Sequence, residues 1–242
     1  MQFDPHTGDL RLDAGAFLAL ADRAAGHVTT ATDDVRRLSE AGVLVDGAPH
    51  SAVGPALEAV AHPHAQITLT VASASGVHVN QGWLSCVTGL LVDLGDGTYE
   101  LRAVPVADVP EAAVRLAGLG SRPALPGGDA GVSEQTLDDL ASPAPDARRR
   151  GAAALVAAAP ASWEPWGACV AAGQWSFTVL DAFWATRFAS LANRRVAVLD
   201  TPAGLVLVEP GGSGLRLVPT TADELRRFVA DVLPSEVEVR GT

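Results

Sequence analysis

Apolar positions recur at a spacing near 3.6 through the first 63 residues, and from Gln66 the spacing becomes two. After a short start with a hairpin turn at Thr7-Gly8, the first region predicts three helices. Asp13 is placed to cap the first, whose apolar stripe is Phe17, Leu18, Leu20 and Ala21, and Gly26 ends it. "TDDVRRLSEAG" predicts the second: Thr32 caps it, Asp33 and Asp34 suit the positive end of the helix dipole, and Gly42 closes it. The third starts near Ser51, carries Val53, Leu57 and Val60 on one stripe, and ends at His62-Pro63.

In the period-two region Ile67, Leu69 and Val71 point one way and Thr68 and Thr70 the other, the pattern of a half-buried strand. Beyond the turn "SASG", strands are expected over 77–84, 86–94 and 98–104. Gly95-Asp96-Gly97 links the last two, and a helix follows through Val109, Ala113 and Leu116. Residues 119–150 are rich in glycine and proline and read as a linker or surface excursion with one short helix around Ser133–Leu140.

Past that stretch the order starts again. A helix around 162–172 precedes a strand "SFTVL", and strands at 195–200, 204–209 and 214–218 lead to a helix carrying Leu225, Val229 and Val232. Between them, "DAFWATRFASLANRR" fits a helical stripe of Trp184, Phe188 and Leu191, yet the first half has a turn and strand here, so helix and strand both stay open. The repeat is visible in wording too. "GLLVDLGDGTYELRAVP" from Gly89 and "GLVLVEPGGSGLRLVP" from Gly204 share Gly89/Gly204, Leu90/Leu205, Leu101/Leu215, Arg102/Arg216, Val104/Val218 and Pro105/Pro219.

Each half is thus a helix, a four-stranded meander and a helix. Short hairpin links require antiparallel neighbours. The expected fold class is α/β (α+β), with two pseudo-symmetric halves around a central antiparallel sheet flanked by helical bundles. The chain reads as one domain, 1–242, made of pseudo-repeats at about 43–118 and 151–233, with an N-terminal helical segment 1–42 and the linker 119–150.

Composition narrows the function. With 48% apolar residues and a mean hydropathy of +0.21, the 242 residues have ample material for a core. All 17 basic residues are arginine, and the net charge of −11 repels nucleic-acid phosphates and anionic membranes alike. No apolar run approaches the roughly 18 residues of a spanning helix, and "MQFDPHTGDL" lacks the basic and apolar regions of a secretory signal. A cytoplasmic location is expected, with Cys86 and Cys169 buried and reduced.

Chemistry is sparse. The six histidines all lie in the first third, and no Gly-x-Ser-x-Gly elbow seats a nucleophile. Asp181 and Asp200 stand near strand ends, where caps are commoner than general acids. His62, His64 and His50 lack the third ligand and the fixed spacing that a metal site needs. The glycine-rich stretches carry no Lys-Ser/Thr pair for phosphate, so no cofactor, no metal and no catalytic residue is predicted. Four of five tryptophans crowd into 163–184. Trp163, Trp166 and Val170 share one helical face, which reads first as core and second as a protein-binding surface.

The stretch "LSEAGVLVDGAPHSAVGPALEAVAHPHAQITLTV", and again "VAVLDTPAGLVLVEP" leading to "LRLVPTTADELRRFVADVL", resembles the EspG-type chaperones of type VII (ESX) secretion in actinobacteria. The resemblance spans about residues 35–232 and fails to match the family's opening segment. It implies a cytosolic, non-enzymatic chaperone or adaptor that keeps a helical secretion substrate, PE/PPE-like or WXG-type, soluble for export. No residue set transfers by position. The turn Ser75, Gly76, Val77, His78 and the inserted Phe183, Trp184, Arg187 are the expected partner-binding residues, because loops and insertions are where function is added to a scaffold. Two other readings stand beside this one: a hydrolase-like enzyme with a cleft between the halves, and a homodimeric structural or regulatory module.

Overall fold

The computed structural model describes residues 1–27, 32–186, 190–212, 214–235 and 238. Strands β1 (Gln2–Phe3) and β2 (Leu10–Asp13) form the opening hairpin, followed by helices α1 (Ala14–Ala24) and α2 (Thr32–Glu40), the small β3 (Leu44–Val45) and β4 (Ala48–Pro49), and helix α3 (Gly54–Ala61). The first meander is β5 (Ala65–Ser73), β6 (Val77–Leu84), β7 (Thr88–Asp93) and β8 (Thr98–Val104), closed by α4 (Val109–Leu116). Then come β9 (Ala130–Val132), α5 (Glu134–Ala141), α6 (Pro145–Ala158) and α7 (Glu164–Ala171). The second meander is β10 (Ser176–Ala185), β11 (Leu191–Thr201), β12 (Gly204–Gly211) and β13 (Gly214–Thr220), closed by α8 (Ala222–Val232).

Eleven strands make one antiparallel sheet in the order β1-β2-β8-β7-β6-β5-β10-β11-β12-β13-β9. The meanders meet at β5 and β10, where Leu69 lies opposite Leu180, and the order reads outward alike from that seam. The period-two alternation sorts side chains onto two faces. On the front, α4 and α8 lie together over Ile67, Leu69, Leu180, Ala182, Trp184, Val198 and Leu205. On the back, α1–α3 cover Leu91, Leu101 and Leu12, while α5–α7 cover Phe177, Leu199, Val206 and Leu217.

Local chemistry places the helices. The Asp13 carboxylate accepts from the Ala16 amide at 3.0 Å and Ser133 caps α5 through the Thr136 amide, while Thr221 and Glu224 form a reciprocal capping box on α8. The two repeated glycines serve one purpose. A Cβ on Gly89 would lie 2.5 Å from the Ala56 carbonyl oxygen of α3, and one on Gly204 would lie 2.5 Å from Cγ of Leu125. Each lets the back-face cover approach the sheet.

Several expectations are corrected. The N-terminal segment is not purely helical, since β2 joins the sheet beside β8. Residues 119–150 are no bare linker: β9 pairs with β13 at the far sheet edge, α5 packs on the back face, and Arg148 in the start of α6 donates to the Ser142 and Pro143 carbonyls beyond α5. Proline and glycine nearby disguised α6, although Pro145 sits where a proline is favoured, at a helix start. Within "DAFWATRFASLANRR", residues 181–185 extend β10 and 191–195 extend β11 as paired strands, with Arg187, Phe188 and Ala189 outside the described residues. The repeated wording does not keep its register. Leu91 pairs with Leu101, but Val206 pairs with Pro219 and Leu215 with Pro210, a slip of four residues. An even slip keeps every side chain on its face.

In each half the second and third meander strands pair over four residues and then part. Between β6 and β7 the fork is bridged: buried Asn80 donates to the Leu69 carbonyl at 3.3 Å and accepts from the Asp93 amide at 3.0 Å. Beside it the His78 ring lies 3.5 Å from the Asp93 carboxylate. Between β11 and β12, among the described residues, no hydrogen bond or ion pair spans from 194–197 to 208–211.

Candidate protein-binding surface

The two helical groups leave the middle of the back face uncovered. Three cross-strand rows run across it, read in the order β6, β5, β10, β11. They are Val79, Thr70, Val179, Ala197; then Gln81, Thr68, Asp181, Arg195; then Trp83, Gln66, Phe183, Asn193. Gln66, Val79 and Gln81 are exposed although they stand on the innermost strands, and Thr68, Thr70, Val179 and Phe183 are half-buried. Trp83 is tucked against Phe17 of α1, with ring centroids 5.6 Å apart, and marks the wall on that side.

On the other side α5 forms a wall, and a groove of about 570 Å³ runs between it and the sheet. Phe177, Val179, Leu137, Ala141 and Leu215 supply an apolar floor, and Glu134, Asp138, Asp181, Arg195 and Glu209 supply charge. Apolar floor with a charged rim is the anatomy of a protein-binding surface.

The charged groups are largely committed to one another. Arg195 donates from Nε and Nη2 to the two oxygens of Asp181, at 2.6 and 3.3 Å, and this pairing raises the guanidinium pKa. Arg122 grips Asp200 in the same two-pronged way at 2.8 and 2.9 Å, while burial pushes the Asp200 carboxyl up against that pull. Both aspartates have both oxygens engaged by arginine, the arrangement of structural ion pairs. Among the described residues no group of three or more His, Cys, Asp or Glu is placed to hold a metal ion. His50 instead packs edge-on to Phe3 at 5.2 Å.

The expected site residues are split between the two ends of the sheet. Ser75 and Gly76 form the exposed turn between β5 and β6, Val77 leans on the α5–α7 core, and His78 faces Asp93. Phe183 and Trp184 lie opposite Gln66 and Ala65 at the far end of β5, about 26 Å away by strand rise. Trp184 is a core residue on the front face, with the Arg194 guanidinium 5.2 Å from its ring centroid. Arg187 lies outside the described residues. Trp163 and Trp166 are also core, packed edge to face at 5.9 Å, and Trp163 Nε1 donates to the Pro126 carbonyl at 3.1 Å. The cysteines are free, and Cys86 is exposed in the β6–β7 turn rather than buried.

Thr70, Val179 and Leu137 were missed by sequence reading. One signal could have found them: Gln66, Thr68 and Thr70 give a polar back face to a strand that sits at the centre of the sheet. An antiparallel sheet commonly leaves one face to water, but here helices cover that face on both sides of the polar stretch, which makes it a gap between two walls.

No described helix is long and apolar enough to cross a membrane. No protein-family model matches the sequence, and no curated protein matches it either. Among solved structures, the Mycobacterium tuberculosis type VII secretion system chaperone EspG5, determined in complex with the PE25-PPE41 dimer, is similar with a TM-score of 0.61 at 14% identity. The match covers 95% of this chain and 99% of that one. Coverage of that extent spans both meanders and the helices between them, and the protein has the fold of an EspG-type secretion chaperone.

Proposed function

We propose that this protein is a cytosolic, non-enzymatic chaperone of type VII secretion that seats a helical substrate, PE/PPE-like before WXG-type, in the groove between α5 and the central strands. The observation that carries the reading is the uncovered back face at the seam of the two meanders, in a chain whose whole fold is that of a substrate-binding chaperone. An exposed apolar helix tip would rest on Val179, Phe177, Leu137 and Ala141. Bound substrate is withdrawn from aggregation by mass action, with no bond made or broken. Phe183 continues the groove toward one end. The turn Ser75, Gly76, Val77 and His78 offers a second contact to a substrate long enough to run the length of β5.

Co-expression with PE–PPE pairs from the source organism, followed by size exclusion with light scattering, tests the reading. The expected product is a soluble complex with one chaperone per pair. Val179→Arg, which puts a charge on the half-buried groove floor, should weaken the complex at least tenfold, whereas Leu18→Asp on the exposed face of α1 should leave it unchanged. A chaperone that stays alone beside soluble, expressed pairs would refute the reading. A stable homodimer in its place would favour the structural-module alternative.

A further inference from the structure

The open fork between β11 and β12 has two unlike sides. From Leu191 to Ala197, about 20 Å of strand, β11 is paired only with β10, so its outer backbone donors and acceptors have no strand partner among the described residues. Folded proteins usually blunt such an edge with charge or proline. The charges of β11 are turned away to the two faces: Arg195 is held by Asp181 on the back, and Arg194 lies over Trp184 and donates to the Asp231 and Leu233 carbonyls on the front. The facing stretch of β12 is blunted by Pro210, which has no N–H to offer, and its Glu209 is tied to Arg216 at 2.9 Å. One side of the fork is receptive and the other is not.

The walls of the fork differ as well. On the front, a cavity of about 730 Å³ is floored by Val196, Leu207, Val232 and the exposed Phe228 of α8. On the back, Glu134 and Asp138, exposed and one turn apart on α5, overlook the same opening; neither has a hydrogen bond or close salt bridge among the described residues, and Asp138 stands near enough to Arg195 to help raise its pKa. A strand added to β11 would send alternate side chains to these two walls.

We infer that the free edge of β11 takes up an extended segment of a partner polypeptide by strand addition, with apolar side chains meeting Phe228 and basic side chains meeting Glu134 and Asp138. Backbone pairing supplies affinity and the two walls supply the alternate-residue preference. The equivalent fork between β6 and β7 cannot do this, because Asn80 fills it. The inference concerns an edge and an extended segment rather than a helix, and it shares its back wall, Glu134 and Asp138, with the groove proposed above.

The test uses the full chain and a capped, fluorescently labelled heptapeptide, Val-Arg-Val-Arg-Val-Arg-Val, with Val-Glu-Val-Glu-Val-Glu-Val as its counterpart. Anisotropy should show binding of the basic peptide at least tenfold tighter than the acidic one. Glu134→Arg with Asp138→Arg should abolish that difference, and Phe228→Ala should weaken the basic peptide about threefold or more. Hydrogen exchange should show amides within 191–197 becoming protected in the peptide complex, while those of 77–80 do not change. Binding without protection at 191–197, equal binding of the two peptides, or no binding of either would overturn the inference. Phe228→Ala, on the front face away from the groove, should leave the PE–PPE complex unchanged while it weakens the peptide, so a failed groove and a failed edge are distinguishable.

Discussion

The two halves of the sheet make the same fork and finish it differently. Where β6 leaves β7, one buried asparagine bridges the gap by accepting from an amide on β7, while its own amide donates to a carbonyl on β5. Where β11 leaves β12, nothing among the described residues takes that place, and cavities open on both faces. A repeat that is closed in one copy and open in the other shows which copy carries scaffold and which carries surface. The back-face groove and the free edge of β11 both border the open fork.

The largest expected effect on this contrast comes from Asn80→Leu, which leaves the Asp93 amide without its acceptor and takes the side-chain donor from the Leu69 carbonyl, still held in its strand ladder. An unsatisfied buried group costs about 1–3 kcal/mol, so urea unfolding should show a loss of about 2–3 kcal/mol with little change in slope. An unchanged midpoint would mean that the first fork is not held by Asn80. Next come the paired glycines. Gly89→Ala forces a methyl against the backbone of α3 and should cost about 2 kcal/mol. Gly204→Ala meets only the side chain of Leu125, which can turn aside, and should cost less than half of that. Equal losses would show that the second half is covered as rigidly as the first.

The smallest effect is electrostatic and of opposite sign in two ion pairs. The Arg37 guanidinium, with the Ala16 amide, holds the Asp13 carboxyl down to about 2, below its unfolded value. Its contribution is present above about pH 4 and is lost as the pH falls toward 2. Asp13 is partly exposed, so that contribution is at most about 1 kcal/mol. Burial holds Asp200 above its unfolded value, so folding favours its protonated form and its contribution grows as the pH falls through that range. Carboxyl carbon titration by NMR should place the Asp13 midpoint near 2 and the Asp200 midpoint above the ordinary aspartate value. The reverse order would contradict the assigned burial.

The meanders were legible because their residues alternate cleanly and their turns are marked: β6 and β8 run over the expected 77–84 and 98–104. What escaped was set by neighbours rather than by pattern. β2 is four residues long and gains its identity only by pairing with β8, and β9 likewise depends on β13. Trp184 fitted a helical stripe with Leu191 and a strand row with Leu180 and Ala182 equally well, and only pairing with Ala65 and Ala192 decides for the strand. The groove was hidden for a similar reason. A polar face on β5 becomes informative only when β5 is known to be central, and α5, which walls the groove, stood in a stretch that reads as linker.

Hydrogen exchange on the chaperone bound to a PE–PPE pair tests the central claim most directly. The account expects new protection in 68–70, 177–181 and 134–141, the three segments that line the groove. A stable complex that leaves all three unprotected, or that protects the α4–α8 face instead, would contradict it.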